Sequence, residues 1–568
     1  MTPLKRSDKL AAALLFLLVT AVTLVAAPSQ GIHRDEAYYM DAGEQYITYW
    51  ERVLTGQEKR PFSDGTIRRY WSYNSEHPPL MKLVYGLSWR LLHKCDCARD
   101  KGWHPAGARL ESGRHVTLPL FSESTAFRLP TMATLGLLAA IVYLFFIQLL
   151  GELPWARVGA LAAALLTAAQ PRAFFHAQTA SFDLPAAFFW VASTYAYFRA
   201  VHSRKLGSAL ALGAVYGLFL ATKLQSFFLP IALGAHWLWL GLRARRQGAR
   251  WPSPAPLISM ATVGPLVLVG LWPWLWHQAP SRLAEYLRFH WTHVHYNFEY
   301  LGRNFNTPPY PWHEPLGMLI TTAPVMLLVL ALAGILLLAF RKATPRVGAR
   351  SLLLLSGLLP ISLFFRGDVP IFGETKHWLA TMAFLAIAAG VAVARLSLRL
   401  VEECRVGRRG RAFLLGALVV VVTAPSVVET VRSHPHGLSH YNALAGGAPG
   451  GADLGMNRQF WGYSIVGLLP WFNTHLPEAA RLYLHDWNHD AYEIYLREGR
   501  LRSDILDAGM EDPGVRSSDA ALVIHEKHFN KYEYMIWNAF GHLQPAEVLT
   551  LDGVPLVTVY KRQPPRSP

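Results

Sequence analysis

The sequence predicts a polytopic α-helical membrane protein of about eleven spans that ends in a small soluble α/β domain. Three observations predict it. Apolar runs of about 16 to 25 residues recur along the chain, the length needed to cross a bilayer. Of the 568 residues, 52% are hydrophobic and only 16% charged. Beyond about residue 430 the long apolar runs give way to short strand-like and helix-like segments.

Spans are expected at roughly 10–27, 127–150, 157–170, 181–199, 208–222, 226–242, 257–276, 316–340, 351–366, 377–396 and 412–429. The first run follows Lys5, Arg6 and Lys9 as a signal peptide would, but it has no convincing small-residue cleavage site and further spans follow. It is read as a retained span. With a cytoplasmic N-terminus, the connections 151–156, 200–207, 243–256, 341–350 and 397–411 are internal. They carry Arg204, Lys205, Arg243, Arg245, Arg246, Arg250, Arg341, Lys342, Arg346, Arg350, Arg399, Arg405, Arg408, Arg409 and Arg411, as the positive-inside rule requires. The net charge of +16 therefore arises mainly in short loops facing anionic lipid, and a nucleic-acid partner is rejected.

This topology makes 1–429 a membrane domain with outer loops 28–126 and 277–315, and 430–568 an extracytoplasmic α/β domain. Segments 481–484, 521–524 and 555–560 read as strands and 490–498 as a helix. Gly446, Gly447, Gly450 and Gly451 follow no strand, so a flexible loop is expected there and not a phosphate cradle. Cys95 and Cys97 share the first outer loop while Cys404 is internal, so topology leaves only the first two able to pair.

Chemistry concentrates where the first span ends. His33, Arg34, Asp35 and Glu36 leave that span together, and Glu76, His77, Pro78, Pro79 and Lys82 follow in the same outer loop. Acids and a cation at headgroup level suit a lipid-linked substrate. Lys82, Arg128, Lys223 and Lys376 each lie near an outer membrane end, where positive-inside bias gives no reason for a cation, so donor-phosphate ligands are expected among them. The outer loop 277–315 is dense in aromatics and imidazoles, including His290, Trp291, His293, His295, Tyr296, Tyr310, Trp312 and His313. Most of these fit an interfacial belt, leaving one or two for sugar stacking or lipid gating.

The Asp35–Glu36 pair with its following tyrosines, the His77-Pro78-Pro79-Leu80 element with Lys82, and Phe127-Arg128-Leu129-Pro130 opening the second span carry a resemblance. So do Asp183, the Tyr300-Leu301-Gly302 to Pro311-Trp312-His313 stretch, and Tyr441-Asn442-Ala443-Leu444-Ala445-Gly446-Gly447. Taken in this order, they resemble the superfamily of protein O-mannosyltransferases and lipid A aminoarabinose transferases, membrane glycosyltransferases of the GT-C fold. Aminoarabinose transferases carry a lysine before the paired prolines, whereas this chain has His77, as mannosyltransferases do.

The resemblance implies inverting transfer of a sugar from a polyprenyl-phosphate carrier to a hydroxyl of protein, lipid or polysaccharide, at the outer face of what is read as a bacterial inner (plasma) membrane. By position it implies catalytic roles for Asp35, Glu76 and Asp183, with Glu36 beside them. His77, Lys82, Arg128, Lys223, Arg303 and Lys376 are assigned to substrate binding. A divalent metal held by Glu76 with His293 and His313 is the only cofactor considered, carboxylate with imidazole suiting zinc or manganese.

Elementary chemistry agrees with this implication. A polyprenyl phosphate is a fair leaving group, so the enzyme must position the donor, stabilise charge on the phosphate and accept the acceptor's proton. Adjacent side chains diverge on a helix or a strand, so only one of Asp35 and Glu36 can readily face the site, and position in the superfamily pattern implies that Asp35 is the base. The alternatives are a polyprenyl-lipid transporter, expected to show mid-membrane acids, broken helices or an internal repeat, and a non-catalytic envelope scaffold. The sequence shows none of the transporter features.

Overall fold

A computed structural model describes residues 1–93, 118, 120–203, 205–339, 348–371, 373–485 and 489–563. The expected Cys95–Cys97 pair lies outside the described residues. In chain order the helical part comprises α1 (Arg6–Ala26), α2 (Arg34–Leu54), α3 (Asp64–Trp71), α4 (Leu80–Leu92), α5 (Glu123–Leu150), α6 (Ala156–Ala168) and α7 (Pro171–Ala177). There follow α8 (Asp183–Ser203), α9 (Leu206–Leu220), α10 (Leu229–Arg246), α11 (Ala255–Leu271) and α12 (Ala279–Trp291). A hairpin of β1 (Phe298–Tyr300) and β2 (Arg303–Phe305) precedes α13 (Glu314–Thr322), α14 (Val325–Ala339), α15 (Ala349–Ser362), α16 (Leu379–Cys404) and α17 (Arg408–Ser433).

Each expected span falls on one of these helices or on a helix pair. Among the described residues six helices are long and apolar enough to cross a membrane, or up to eight if each of two bent pairs is one span; α9 and α11 are shorter apolar helices. The run expected as one span at 316–340 is broken: α13 and α14 meet at 116°. Pro324 lies between them, without an N–H to continue the helical ladder, and Ala323 before it is extended. A second break, of 68°, separates α6 from α7, which Pro171 opens. Broken helices, absent from the sequence reading, are thus a feature of the fold.

The first break is plugged by one side chain. Asn442 Nδ2 donates to the carbonyls of Ile320 and Ala323, both at 2.6 Å, and its backbone N–H donates to Thr321 O at 2.8 Å. Those carbonyls belong to the end of α13, where no helical partner exists. Asn442 Oδ1 accepts from Leu444 and Ala445 N–H, which holds the next turn. The glycines beyond it form no loose loop: Gly447–Asp453 is a short helix, α18, and a side chain at Gly450 would run into the Ala445 carbonyl.

After α19 (Leu469–His475) come β3 (Arg481–Tyr483), α20 (His489–Arg497), β4 (Leu506–Asp507), α21 (Glu511–Ser517), β5 (Ala520–Ile524), α22 (Asn530–Phe540), β6 (Glu547–Leu551) and β7 (Val554–Lys561). The five strands form one sheet in the order β4-β3-β5-β7-β6; β3 is parallel to β4 and β5, and β7 is antiparallel to β5 and β6. Strands β4 and β6 were not foreseen, β4 being two residues long and β6 a partly exposed edge.

The sheet does not keep its core to itself. Leu482, Leu522 and Val557 share one buried cluster with Ile32, with Ala37 and Met40 of α2, with Met81 and Tyr85 of α4 and with Phe127 of α5. Each of the larger aliphatic, Met and Phe side chains contributes about 1.5–3 kcal/mol on burial, which fixes the sheet against the segment between α1 and α5. Polar ties add direction: Arg497 makes a two-nitrogen contact with Glu123 at 2.8 and 3.0 Å, and Ile32 N–H donates to Tyr495 Oη at 2.6 Å. Sheet and segment therefore lie on the same side of the bundle. Between α17 and the sheet, residues 434–468 pack on membrane helices, with Tyr441 under Arg172 and Asn442 in the α13–α14 break.

Candidate active site

Helix α2 starts at the end of a short connection from α1, and its first turn carries both carboxylates. His33 is the N-cap: its Nδ1 accepts the Glu36 N–H at 3.1 Å, and Glu36 Oε2 accepts the His33 N–H at 3.4 Å, a reciprocal cap. Burial keeps the His33 imidazole neutral, well below its ordinary 6.5, with Arg128 adding to the shift. Helices α2 and α4 then cross at Gly43 and Gly86, where a side chain on either would overlap the other's backbone. That contact sets the α2 axis against the Pro78–Lys82 segment.

From this start the two acids diverge. Glu36 turns inward, fully buried, and takes Arg128 Nε at 2.6 Å, Arg128 Nη2 at 2.7 Å and the Ala180 N–H at 2.6 Å. Arg128 spends its other donors on the carbonyls of Gln30 and Gly31, at 3.0 and 2.7 Å. Asp35 turns outward and keeps a quarter of its side chain exposed. Its Oδ2 accepts Trp461 Nε1 at 2.8 Å and its Oδ1 lies 3.5 Å from Arg34 Nε.

Around Asp35 gather groups from several further segments. Asp183, at the start of α8, pairs with Lys223 and faces His176 Nδ1 at 3.9 Å. Lys376 interacts electrostatically with Asp183, Asp35, Lys223 and Arg34. It reaches them across Gly373, whose φ of 75° and contact with the lysine stem leave no room for a side chain. The Lys376 ammonium lies 4.1 Å from the centre of the Trp461 ring. His77 closes another side, its ring against Tyr39, Phe182 and His290. Burial drives the His77 imidazole to the neutral form. His293 feels both Asp35 and Lys376. Two acids with two lysines in one partly open cluster can hold an anion and accept a proton side by side.

Several expected ligands stand elsewhere. Arg128 belongs to the framework, because every contact just described ties it to α2 and its approach. Lys82 is fully buried; its ammonium donates to Asn74 O at 2.6 Å, His77 O at 2.8 Å, and Asn74 Oδ1 and Tyr46 Oη at 3.2 Å. Burial pushes this lysine down to about 7 against the pull of Glu76. It shapes the Asn74–His77 turn and has no face toward the cluster. Glu36 is likewise an anchor. Glu76 accepts Asn74 Nδ2 at 2.8 Å and feels Tyr39 and Lys82. Arg303 is exposed on the hairpin.

The metal set does not assemble. His313 hydrogen-bonds Tyr300 Oη at 3.0 Å, His293 packs on Phe289, and among the described residues no three His, Cys, Asp or Glu could hold an ion. The residues therefore do not fit the expected divalent site.

Trp461 and His176 were not among the expected site residues, and His33, though part of the stretch singled out in the sequence, had been assigned no role of its own. His176 lies on a short helix past a break, and Trp461 comes from a polar stretch beyond the last span. The aromatic pair Phe460-Trp461 ahead of Gly462 was the only signal of it in the sequence.

The family model described as dolichyl-phosphate-mannose-protein mannosyltransferase matches residues 117–272. No curated protein matches the chain. Among solved structures, ArnT from Cupriavidus metallidurans bound to undecaprenyl phosphate aligns at 15% identity and a TM-score of 0.47, over 96% of this chain and 97% of that one. The Archaeoglobus fulgidus oligosaccharyltransferase in the apo form aligns at 12% and 0.47, over 94% and 71%. The S. cerevisiae protein O-mannosyltransferase Pmt1–Pmt2 complex bound to the sugar donor aligns at 19% and 0.32, over 51% and 34%. At these scores the structural likenesses carry no functional argument. Over residues 117–272 the chain is similar to the dolichyl-phosphate-mannose-protein mannosyltransferases, and among the described residues it has six to eight helices or bent helix pairs long and apolar enough to cross a membrane.

Proposed function

We propose that the chain transfers a sugar from a polyprenyl-phosphate donor to an acceptor hydroxyl at the outer membrane face, with inversion. The observation that carries this is the meeting of Asp35, Asp183, Lys223 and Lys376 in one partly open cluster. Lys223 and Lys376 hold the donor phosphate and take up the charge it gains. Asp35 receives the proton of the acceptor hydroxyl as its oxygen bonds to the anomeric carbon. The anomeric carbon's bond to the phosphate oxygen breaks, and polyprenyl phosphate leaves with the electron pair. Asp183 orients Lys223, and Glu76 stands by to orient the acceptor. No step runs through a metal.

A transporter reading gains the two helix breaks and the buried acids Glu314 and Glu374 near them. The backbone at the breaks is filled, however: Asn442 occupies one, and Gln170 Nε2 returns to Leu166 O at 2.9 Å in the other. Of the two acids Glu374 is paired with Arg172 at 2.8 Å, while neither carboxylate oxygen of Glu314 is hydrogen-bonded. A transporter would leave the backbone groups of the breaks to line a path.

Turnover of a polyprenyl-phosphate sugar by detergent-purified protein tests the proposal. Asp35→Asn is expected to lose on the order of a hundredfold in kcat with donor binding kept, the scale of general base catalysis. Full turnover by Asp35→Asn would remove Asp35 from the role, and release of no product by the wild type would remove the reaction.

A further inference from the structure

Trp461 stands at the joint between the base and the donor cation, and three of its contacts converge there. The indole N–H donates to Asp35 Oδ2 at 2.8 Å. One ring face stacks on His33, with centroids 4.2 Å apart and planes within 9°. The ring also lies 4.1 Å from the Lys376 ammonium, which Phe460 approaches at 5.2 Å. The backbone takes part as well: the Trp461 carbonyl accepts the Arg34 N–H at 3.0 Å, at the first turn of α2.

The conformation required for this is an expensive one. Trp461 has φ of 78°, a left-handed value that a bulky side chain rarely adopts, and it is 3% exposed. Such backbone persists where surrounding contacts over-determine it, and here those contacts are a helix N-terminus, a carboxylate and a cation. An apolar core position would need none of the three. The indole N–H is fixed in direction by its stack on His33, which is in turn fixed by the Glu36 N–H, so Asp35 receives a donor that cannot rotate away.

We infer that Trp461 is a positioning residue for sugar transfer: its N–H holds the Asp35 carboxylate in line with the acceptor, and its ring holds Lys376 beside the donor phosphate. This rests on the proposed role of Asp35. The two functions separate by atom, because the N–H serves the base and the π face serves the cation.

Replacing the indole N–H by sulfur tests the first function without altering shape. Full-length protein carrying benzothienylalanine at 461, introduced by codon suppression, is compared with Trp461→Phe and Asp35→Asn. The sulfur isostere is expected to lower kcat roughly tenfold to a hundredfold, less than the roughly hundredfold to thousandfold lost with a donor that touches the reacting group itself, with KM for the lipid donor within about twofold. In the Asp35→Asn background the same replacement is expected to cost less than about threefold more, because the group it acts through is gone. Trp461→Phe retains an aromatic face of smaller area and is expected to add a rise in donor KM. An isostere with wild-type kcat overturns the inference while Asp35→Asn remains inactive. An equal loss in both backgrounds overturns it too, since that marks a packing role. Full activity of Asp35→Asn overturns the proposed base and not the contact.

Discussion

Arg128 meets Glu36 with two nitrogens, Nε on Oε1 at 2.6 Å and Nη2 on Oε2 at 2.7 Å, and neither side chain is exposed by more than 1%. The pair welds α5 to the start of α2, one residue from Asp35. Removing one partner of such a pair leaves a buried charge uncompensated, at a cost of about 3–5 kcal/mol. Glu36→Gln and Arg128→Met are therefore expected to lower the Tm of purified protein sharply, whereas Asp35→Asn leaves it near wild type. Turnover per folded molecule should fall much less for Glu36→Gln than for Asp35→Asn. A Glu36→Gln protein with wild-type Tm and no turnover would exchange the roles of the two acids.

Asn442 offers a second separation of scaffold from chemistry. Asn442→Ala removes both Nδ2 donors from the Ile320 and Ala323 carbonyls, and a buried acceptor left alone, as that of Ala323 would be, costs about 1–3 kcal/mol. Asn442→Asp is expected to be worse, since it turns a carboxylate oxygen toward those carbonyls. Thermal unfolding in detergent reads both, and donor KM of the surviving folded fraction should stay at the wild-type value. A changed KM with unchanged Tm would tie the break to substrate.

Much of this was legible because the membrane simplifies the code. Length and hydropathy found the helices, and the polar residues stranded beside the apolar runs, Asp35, Asp183, Lys223 and Lys376, are those that meet. The divergence of Asp35 from Glu36 followed from helix geometry alone. What sequence could not supply was the use of each cation. Lys82 and Arg128 look like Lys223 and Lys376 in hydropathy, and only the third dimension shows that carbonyls of Asn74, His77, Gln30 and Gly31 have taken their donors. Trp461 was hidden for a related reason: its role depends on a contact 426 residues away along the chain and on a left-handed backbone, neither of which leaves a local pattern.

His33 gives the fold a pH dependence whose sign follows from its burial. The imidazole faces Glu36, Arg128, His176, Asp183 and Lys376, and burial holds it neutral, well below 6.5. As pH falls through about 6.5, the unfolded chain binds a proton that the folded chain refuses, so stability falls with pH by up to about 1.4 kcal/mol per unit for this one group. Above that pH it contributes no slope. His33→Asn keeps a capping acceptor and removes the titration. Its Tm is expected to change less than that of the wild type between pH 6.5 and 5, and a parallel pair of curves would show that His33 takes its proton while folded.

Lys223 and Lys376 are expected to hold the donor phosphate, and Lys82 is not, although all three are cations beside apolar runs. Lys223 shares Asp183 with the cluster and keeps 17% of its side chain exposed, and Lys376 faces both acids. A hydrogen bond to a charged group contributes about 1.5–3 kcal/mol, so Lys223→Ala and Lys376→Ala should each weaken binding of polyprenyl phosphate about tenfold to a hundredfold. Lys82→Ala removes donors from Asn74 and His77 carbonyls, and its effect should appear as a lower Tm with the affinity of the folded protein retained. Equilibrium binding of polyprenyl phosphate to the three purified variants, read beside their thermal unfolding, decides between the two sets. If Lys82→Ala alone lost affinity at unchanged Tm, the turn it holds would be the phosphate site and the Asp183–Lys223 pair would be scaffold. If all three bound as the wild type does, the phosphate would have to be held by Arg34 or the imidazoles, and the cluster would serve the acceptor instead.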